Sequence, residues 1–350
     1  MPDPVKQLQA VLDEAVDKGE ELGCQLAVYK DGELLCSLSA GSTSADRSKP
    51  VTENTLFPVF SVGKGIIATL IHILYEEKVL DYDDPVIRYW PGYGCGGKEA
   101  TRIWHILSHR AGVYKFPADF PFEEQFNWQA STACLAAMTP LDTIGGLHHY
   151  HARSFGILAG RIAELAAGKS LDLLLKEKIF VPLGIKGIFF GLPEEKFSET
   201  AQIDANGIQS ALPDFNSKKI LGGLNPSSNG CMNALSIAKV YASLTSSGLR
   251  GKRLLKDETV TNATILCRTP EDVLKPGDWT KFGLGYALCG PPEDFARMFG
   301  HGGACGSEGF ADKKTELAVG FTKNRVSRNH PDHHTRNQIS RILGIPERIW

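Results

Sequence analysis

Phe60-Ser61-Val62-Gly63-Lys64 opens an apolar run that continues through Ile66, Ile67, Leu70, Ile71, Ile73 and Leu74. In a helix, residues three apart share a face with Cβ atoms about 5–6 Å apart, so Ser61 and Lys64 become neighbours. The run is apolar almost all round, which predicts a helix buried inside the protein rather than one lying on its surface. A lysine in the first turn of such a helix has a chemical use: burial favours the neutral amine, and a neutral amine beside a hydroxyl can take its proton. The helix N-terminus adds free backbone N–H groups and the positive dipole end, which favour negative charge developing near Ser61. The plain alternative is an amphipathic helix whose lysine reaches out to water. S-x-x-K occurs often by chance, so other stretches decide between the two.

At 350 residues the chain exceeds what one small core organises, which predicts two subdomains. A composition of 42% hydrophobic and 22% charged residues is that of an ordinary globular protein. A formal net charge of -2 offers no electrostatic case for nucleic acid or an anionic membrane surface, so the expected partner is a small molecule. Met1 to Leu22 carries acidic residues among spaced apolar ones, which suits an amphipathic helix and not a basic-then-apolar signal peptide. No run reaches the length needed to span a bilayer, and the expected location is the cytoplasm. The eight cysteines contain no C-x-x-C pair, so neither a zinc ribbon nor a redox motif is indicated, and free, buried thiols are expected.

Cys24 to Leu38 reads as two strands joined at Asp31-Gly32, a pair suited to the positive φ angles of a tight hairpin. Gly92, Gly94 and Gly97 match G-x-G-x-x-G in form, but Trp90-Pro91 precedes them and a charged loop follows, so the strand and helix that a dinucleotide fingerprint needs are missing. Ile103 to Gly112 predicts a short helix stopped by glycine, and residues 113–145 read as an irregular, aromatic-rich stretch. Phe155–Ala167 and Leu171–Phe180 predict helices, as does Asn233–Leu244 with a cap at its start. Gly283–Leu288, Met298–Gly303, Gly309–Asp312 and Leu317–Thr322 predict successive antiparallel strands before a last helix from about Arg336. Strands at both ends with helices between them predict an α/β sheet domain of residues 1–85 and 215–350, a mostly helical domain of 86–214, and an active site in the cleft between the two.

Two further stretches are chemically dense. In His148-His149-Tyr150-His151-Ala152-Arg153, a tyrosine just before a helix could relay a serine's proton, since a nearby lysine lowers a phenol's pKa. The three histidines here, with His330, His333 and His334, come without H-E-x-x-H or a matching carboxylate spacing, so no metal is expected. In Gly300-His301-Gly302-Gly303-Ala304, glycines on an expected strand suggest close approach of the backbone to a ligand. A backbone N–H from this strand paired with that of Ser61 would make an oxyanion hole.

Taken in order, Ser61-Val62-Gly63-Lys64, Tyr150-His151-Ala152 and His301-Gly302-Gly303 resemble the three motifs of the serine β-lactamase and penicillin-binding-protein superfamily, in its class C β-lactamase and family VIII carboxylesterase branch. Ile106 to Gly112 is similar to that branch's L-L-x-H-x-S-G stretch, and Asn229 to Leu244 to its N-A-x-x-x-A-x-x-Y helix. The resemblance covers most of residues 10–325. It implies the β-lactamase/transpeptidase-like α/β fold, an antiparallel sheet flanked by helices plus a helical insertion. It also implies Ser61 as nucleophile, Lys64 and Tyr150 as its general-base system, His301 where many relatives carry lysine, and the amides of Ser61 and Ala304 as oxyanion hole. Ala152, Gly302 and Gly303 fall at substrate-contacting positions, and neither metal nor cofactor is implied.

Two departures bear on the substrate. Lactamases and peptidases of the superfamily usually carry Asn where this chain has Ala152, and Lys-Thr-Gly or Lys-Ser-Gly where it has His301-Gly302-Gly303. Losing an amide contact and a fixed cation favours a small carboxylic ester over a β-lactam or peptide. The alternatives are a β-lactamase, D-amino-acid peptidase or acyltransferase using the same acyl-enzyme, and a binding module without catalysis.

Overall fold

The computed structural model describes residues 3–208, 210–267, 281–327 and 334–348. Asp3 caps α1 (Pro4–Asp17) by accepting from the Val5 N–H at 2.9 Å. β1 (Gly23–Lys30) and β2 (Glu33–Gly41) follow as the expected hairpin, with Asp31 and Gly32 at φ 50° and 79°. A two-residue strand β3 (Phe57–Pro58) leads into α2 (Val62–Glu76). Helices α3 (Ile103–Leu107), α4 (Trp128–Ala137), α5 (Phe155–Ala167) and α6 (Leu171–Leu175) come next. α6 runs through a π-helical turn at Lys176–Phe180 into α7 (Val181–Leu183). Then come β4 (Ile188–Phe189), α8 (Lys218–Gly222), β5 (Cys231–Met232), α9 (Ala234–Ala242) and α10 (Asp257–Ala263). The chain returns through β6 (Ala287–Leu288), β7 (Met298–Gly302), β8 (Glu308–Asp312), β9 (Leu317–Lys323) and α11 (His334–Leu343).

The main sheet is antiparallel, in the order β2-β1-β9-β8-β7-β6, so strands from both ends of the chain meet at β1 and β9. Side chains alternate between faces along a strand. Leu26 and Val28 of β1, Phe310 of β8 and Phe321 of β9 pack with Leu8 and Leu12 of α1 and Ile339 of α11. Their neighbours Ala27, Tyr29, Ala311 and Ala318 turn the other way and join the larger core containing α2 and α9. Both faces of the sheet are therefore covered by helices, the layered arrangement that buries an apolar sheet. A second sheet, β3-β5-β4, has two residues in each strand.

α2 is the axis of the larger core. Every residue from Val62 to Leu74 is buried, as its all-round apolar pattern predicts, and it packs against α5 and β7. No helix among the described residues is long and apolar enough to cross a membrane.

Several local expectations are corrected. Residues 113–145 are not irregular throughout: they hold α4, capped by Asn127, whose Oδ1 accepts from the Ala130 N–H at 3.2 Å. Its sequence, Trp-Gln-Ala-Ser-Thr-Ala-Cys-Leu-Ala-Ala, shows no clean apolar period, and the cap and packing decide its conformation. The strand expected over Gly283–Leu288 shrinks to Ala287–Leu288, and α10 and the small sheet carry no periodic signal long enough to read. Gly92 and Gly94 lie in a 3-10 turn, Pro91–Gly94, which neither leaves a strand nor opens a helix. His330 and His333 lie outside the described residues.

Candidate active site

Ser61 occupies the N-cap position of α2, where a serine hydroxyl normally accepts from an N–H of the first turn. Here it makes no such bond, and Lys64 Nζ lies 2.9 Å from its Oγ instead. The preceding residue, Phe60, has φ 52°, a left-handed conformation unusual for an aromatic residue, so the chain turns sharply just before the serine. Such an angle persists only where its surroundings hold it. The Phe60 ring is fixed edge-on against Phe215 at 4.7 Å between centroids.

Lys64 is fully buried. Nζ also donates to Ala152 O at 2.8 Å and Ser227 O at 2.9 Å, which ties together α2, the turn before α5 and the loop before β5. Gly63 lets that loop approach: a Cβ there would stand 2.3 Å from Pro226 O. Burial pushes the Lys64 amine well below the usual lysine range, and the positive charge of Arg153 lowers it further.

Tyr150 is half-buried above Lys64, with Nζ 5.0 Å from its ring centroid. Its phenol is shifted opposite to the expectation that a neighbouring lysine lowers it. Burial raises it above the usual tyrosine range, outweighing the lowering effect of a hydrogen bond with the Ser61 hydroxyl. Lys64, its own pKa pushed well down by burial, does not offset this. His109, buried and held at φ 61°, braces the tyrosine from below. Its carbonyl accepts from the His149 N–H at 3.0 Å, its Nδ1 accepts from the His151 N–H at 3.1 Å, and its ring packs 5.0 Å from that of Tyr150.

His301 lies on β7 with its ring 6.1 Å from Tyr150. Nδ1 donates to Gly302 O at 2.7 Å, so Nε2 carries the lone pair, and it has no protein partner. Burial and the neighbouring Lys64 hold its pKa down at about 3, and the imidazole is neutral at physiological pH. Gly303 presses against the backbone before the serine, where a Cβ would meet Val59 O at 2.2 Å. Ala304 follows this contact, and among the described residues neither its N–H nor that of Ser61 donates to a protein acceptor.

Hydrogen bonds and ring contacts thus connect Ser61, Lys64, Tyr150 and His301, and Gly303 presses on the backbone before the serine. Ala152 is exposed and contributes its carbonyl to Lys64, while Gly302 contributes its carbonyl to His301. Of the remaining candidate histidines, His149 and His334 have local partners. His149 bonds Asp142 Oδ2 at 2.7 Å and stacks on Tyr114, and His334 lies 3.1 Å from Glu20. Among the described residues no three His, Cys, Asp or Glu side chains converge as a metal site.

Two residues at the site carried no sequence signal. Ser227 acts through its carbonyl, which any residue could supply. Arg153 is an exposed cation three residues past Tyr150. Its Nη1 donates to Gln125 Oε1 at 3.0 Å, and its guanidinium lies over the Phe122 ring at 4.7 Å.

A family model described as Beta-lactamase matches residues 8–343. The Esterase/beta-lactamase LipL of Mycobacterium tuberculosis (strain ATCC 25618 / H37Rv) is 28% identical over 337 residues, covering 87% of this chain and 77% of that protein. Two further curated relatives, a Beta-lactamase of Pseudomonas fluorescens and the Penicillin-binding protein 4 of Amycolatopsis lactamdurans, match over 49% and 45% of their own length. Among solved structures, a family VIII carboxylesterase superposes with a TM-score of 0.87 at 26% identity, covering 98% of this chain and 97% of its own. A penicillin-binding protein homolog from Caulobacter crescentus gives 0.84 at 27% identity, covering 98% of this chain and 96% of its own.

Proposed function

Because this chain belongs to the Beta-lactamase family, we propose that it is a serine hydrolase cleaving small carboxylic esters through an acyl-enzyme on Ser61. The observation that carries this reading is the bonding of Lys64. A neutral amine has two N–H donors and one lone pair. Ala152 O and Ser227 O take the two donors, so the lone pair falls to the third neighbour, the Ser61 hydroxyl. The lysine is then a preorganised base for the serine hydroxyl, which also meets Tyr150.

In this mechanism Ser61 Oγ attacks the ester carbonyl carbon as its proton passes to Lys64 Nζ. The oxyanion forms against the N–H groups of Ser61 and Ala304; one such donor is worth about 3–4 kcal/mol in other hydrolases. The tetrahedral intermediate collapses, the C–O bond to the alcohol breaks, and the alkoxide takes a proton from the Lys64 ammonium through the Tyr150 hydroxyl. Tyr150 suits a relay because burial keeps it protonated near neutral pH. Water then attacks the acyl-serine by the same route in reverse, giving the acid and free Ser61.

The choice of ester over lactam rests on Ala152, which has no amide to offer, and on His301, whose neutral ring cannot hold an anion where relatives place a lysine. In this reading residues 1–85 and 215–350 supply Ser61, Lys64 and His301, and residues 86–214 supply Tyr150 across the cleft. All eight cysteines stand as free thiols, which suits a reducing, cytoplasmic setting.

The test is a fluorophosphonate probe together with p-nitrophenyl butyrate. Ser61 is expected to carry the label, and Ser61→Ala to abolish both labelling and hydrolysis. A folded protein that neither labels nor turns over ester overturns the reading in favour of a binding module. Nitrocefin turnover comparable to ester turnover would move the substrate to a β-lactam.

A further inference from the structure

An exposed guanidinium held in place by neutral partners, with no carboxylate beside it among the described residues, keeps its charge and its donors free for a ligand. Arg153 is in this position. Its protein contacts are the neutral Gln125 amide oxygen and the Phe122 ring, and among the described residues no Asp or Glu pairs with it. The face of Phe122 attracts the cation weakly and holds it in place without neutralising it.

Its location ties it to the reaction centre. Arg153 directly follows Ala152, whose carbonyl accepts from Lys64 Nζ at 2.8 Å. Phe122, beneath the guanidinium, belongs to the aromatic group of Phe126, Phe215 and Phe60, and Phe60 immediately precedes Ser61. Arg153 is also the one charged group among the described residues whose field acts on Lys64. His109, His151 and His301 are all held neutral by burial. Arg153 therefore offers, next to the residue whose carbonyl binds Lys64, a positive charge with no carboxylate partner among the described residues, on a planar, multidentate donor, the group best matched to a carboxylate.

We propose that Arg153 is the specificity-determining residue of this site and selects esters that bear a carboxylate, so the preferred substrates are half-esters of dicarboxylic acids or acyl esters of hydroxy acids. The proposal rests on the serine-hydrolase reading and names its substrate class. It supplies, from a different element, the cation that the β7 position lacks.

Charge selection is read as a ratio, which cancels any effect of Arg153 on Lys64 itself. Mono-p-nitrophenyl glutarate is compared with p-nitrophenyl valerate for a carboxylate on the acyl side, and 4-acetoxybenzoate with its methyl ester for one on the alcohol side. In at least one pair kcat/KM for the anionic ester is expected to exceed that of the neutral one by about 10- to 100-fold, the worth of a hydrogen bond to a charged group. The preference is expected to shrink in 0.5 M NaCl, to vanish in Arg153→Gln and to survive in part in Arg153→Lys. The second measurement needs no turnover: calorimetric binding of monomethyl and dimethyl glutarate to Ser61→Ala, and to the same protein with Arg153→Gln. Arg153-dependent preference for the half-ester in binding, with no ester turned over, keeps the proposal and overturns the hydrolase reading. No preference in either ester pair or in binding overturns the proposal, as does a preference that persists in Arg153→Gln. An Arg153 that serves only to pack on Phe122 would give that result.

Discussion

Ser61 gives up a helix-capping bond, and Lys64 gives up its charge; both sacrifices serve the same contact. A lost N-cap costs about 1 kcal/mol, and a buried amine held neutral costs stability wherever the unfolded lysine would be protonated. The direction follows from proton counts. With its pKa well below the ordinary value in the folded state, Lys64 binds fewer protons folded than unfolded. Unfolding therefore takes up a proton between the depressed folded pKa and the unfolded value of about 10.4, and stability contributed at this residue rises with pH across that window. Against Lys64→Met, which cannot titrate, the wild type should gain stability by at most about 1.4 kcal/mol per pH unit on going from neutral pH toward 10. Urea denaturation of both proteins at pH 7, 8 and 9 measures this, and a constant difference would mean that Lys64 is charged in the fold. The pairing of Ser61 with Lys64 was legible from a spacing of three residues. The direction of the Tyr150 shift was not, because it depends on how much water the cleft admits.

At the level of elements, the site depends on how closely α2 is approached by the loop before β5. Gly63→Ala would place a Cβ 2.3 Å from Pro226 O, a backbone atom that cannot swing away. The loop must retreat and carry Ser227 O from Lys64. We expect a loss of about 1–3 kcal/mol in stability from overpacking and about 100-fold in kcat/KM from the displaced base. Gly92→Ala is the control: nothing lies within 4 Å of its Cβ position, and its φ is not in the left-handed region. Thermal unfolding and ester kinetics of the pair separate close approach from mere glycine content, and a Gly63→Ala enzyme with wild-type kinetics would refute the account. α2, α5, α9 and β9 were legible because each has a sustained apolar period or an unbroken apolar run. α4 was not, since an alanine-rich stretch with a good cap is helical by propensity and packing and leaves no stripe to read.

For the whole molecule, the two ends of the chain build one sheet, and buried ion pairs fasten the closure. Lys323 of β9 meets Glu21 at 2.6 Å, Arg297 meets Asp312 of β8 at 2.7 Å, and Glu308 of β8, fully buried, receives Arg348 and, at 3.3 Å, Arg336 of α11. Glu308→Leu would strand two guanidinium groups in the interior, and breaking a buried pair from one side costs about 3–5 kcal/mol. The expected outcome is a lower urea midpoint by that amount with Ser61 still labelled by a fluorophosphonate at low urea. A loss below 1 kcal/mol would show that the cluster is solvated.

The flanking strands and the fold class were legible in the sequence by itself, and Ser61 and Lys64 stood out there as the proposed nucleophile and base, because these are written in short-range spacing and in apolar periods that local geometry must obey. It also carried Ala152 and His301, on which the proposed preference for esters over lactams rests. Only the tertiary structure decided the directions in which burial shifts Lys64, Tyr150 and His301, the service of two backbone carbonyls at Lys64, and the seating of the exposed Arg153 over the Phe122 ring. Each of these depends on burial and on partners distant in sequence, and burial is a property of the packed chain that no local stretch contains.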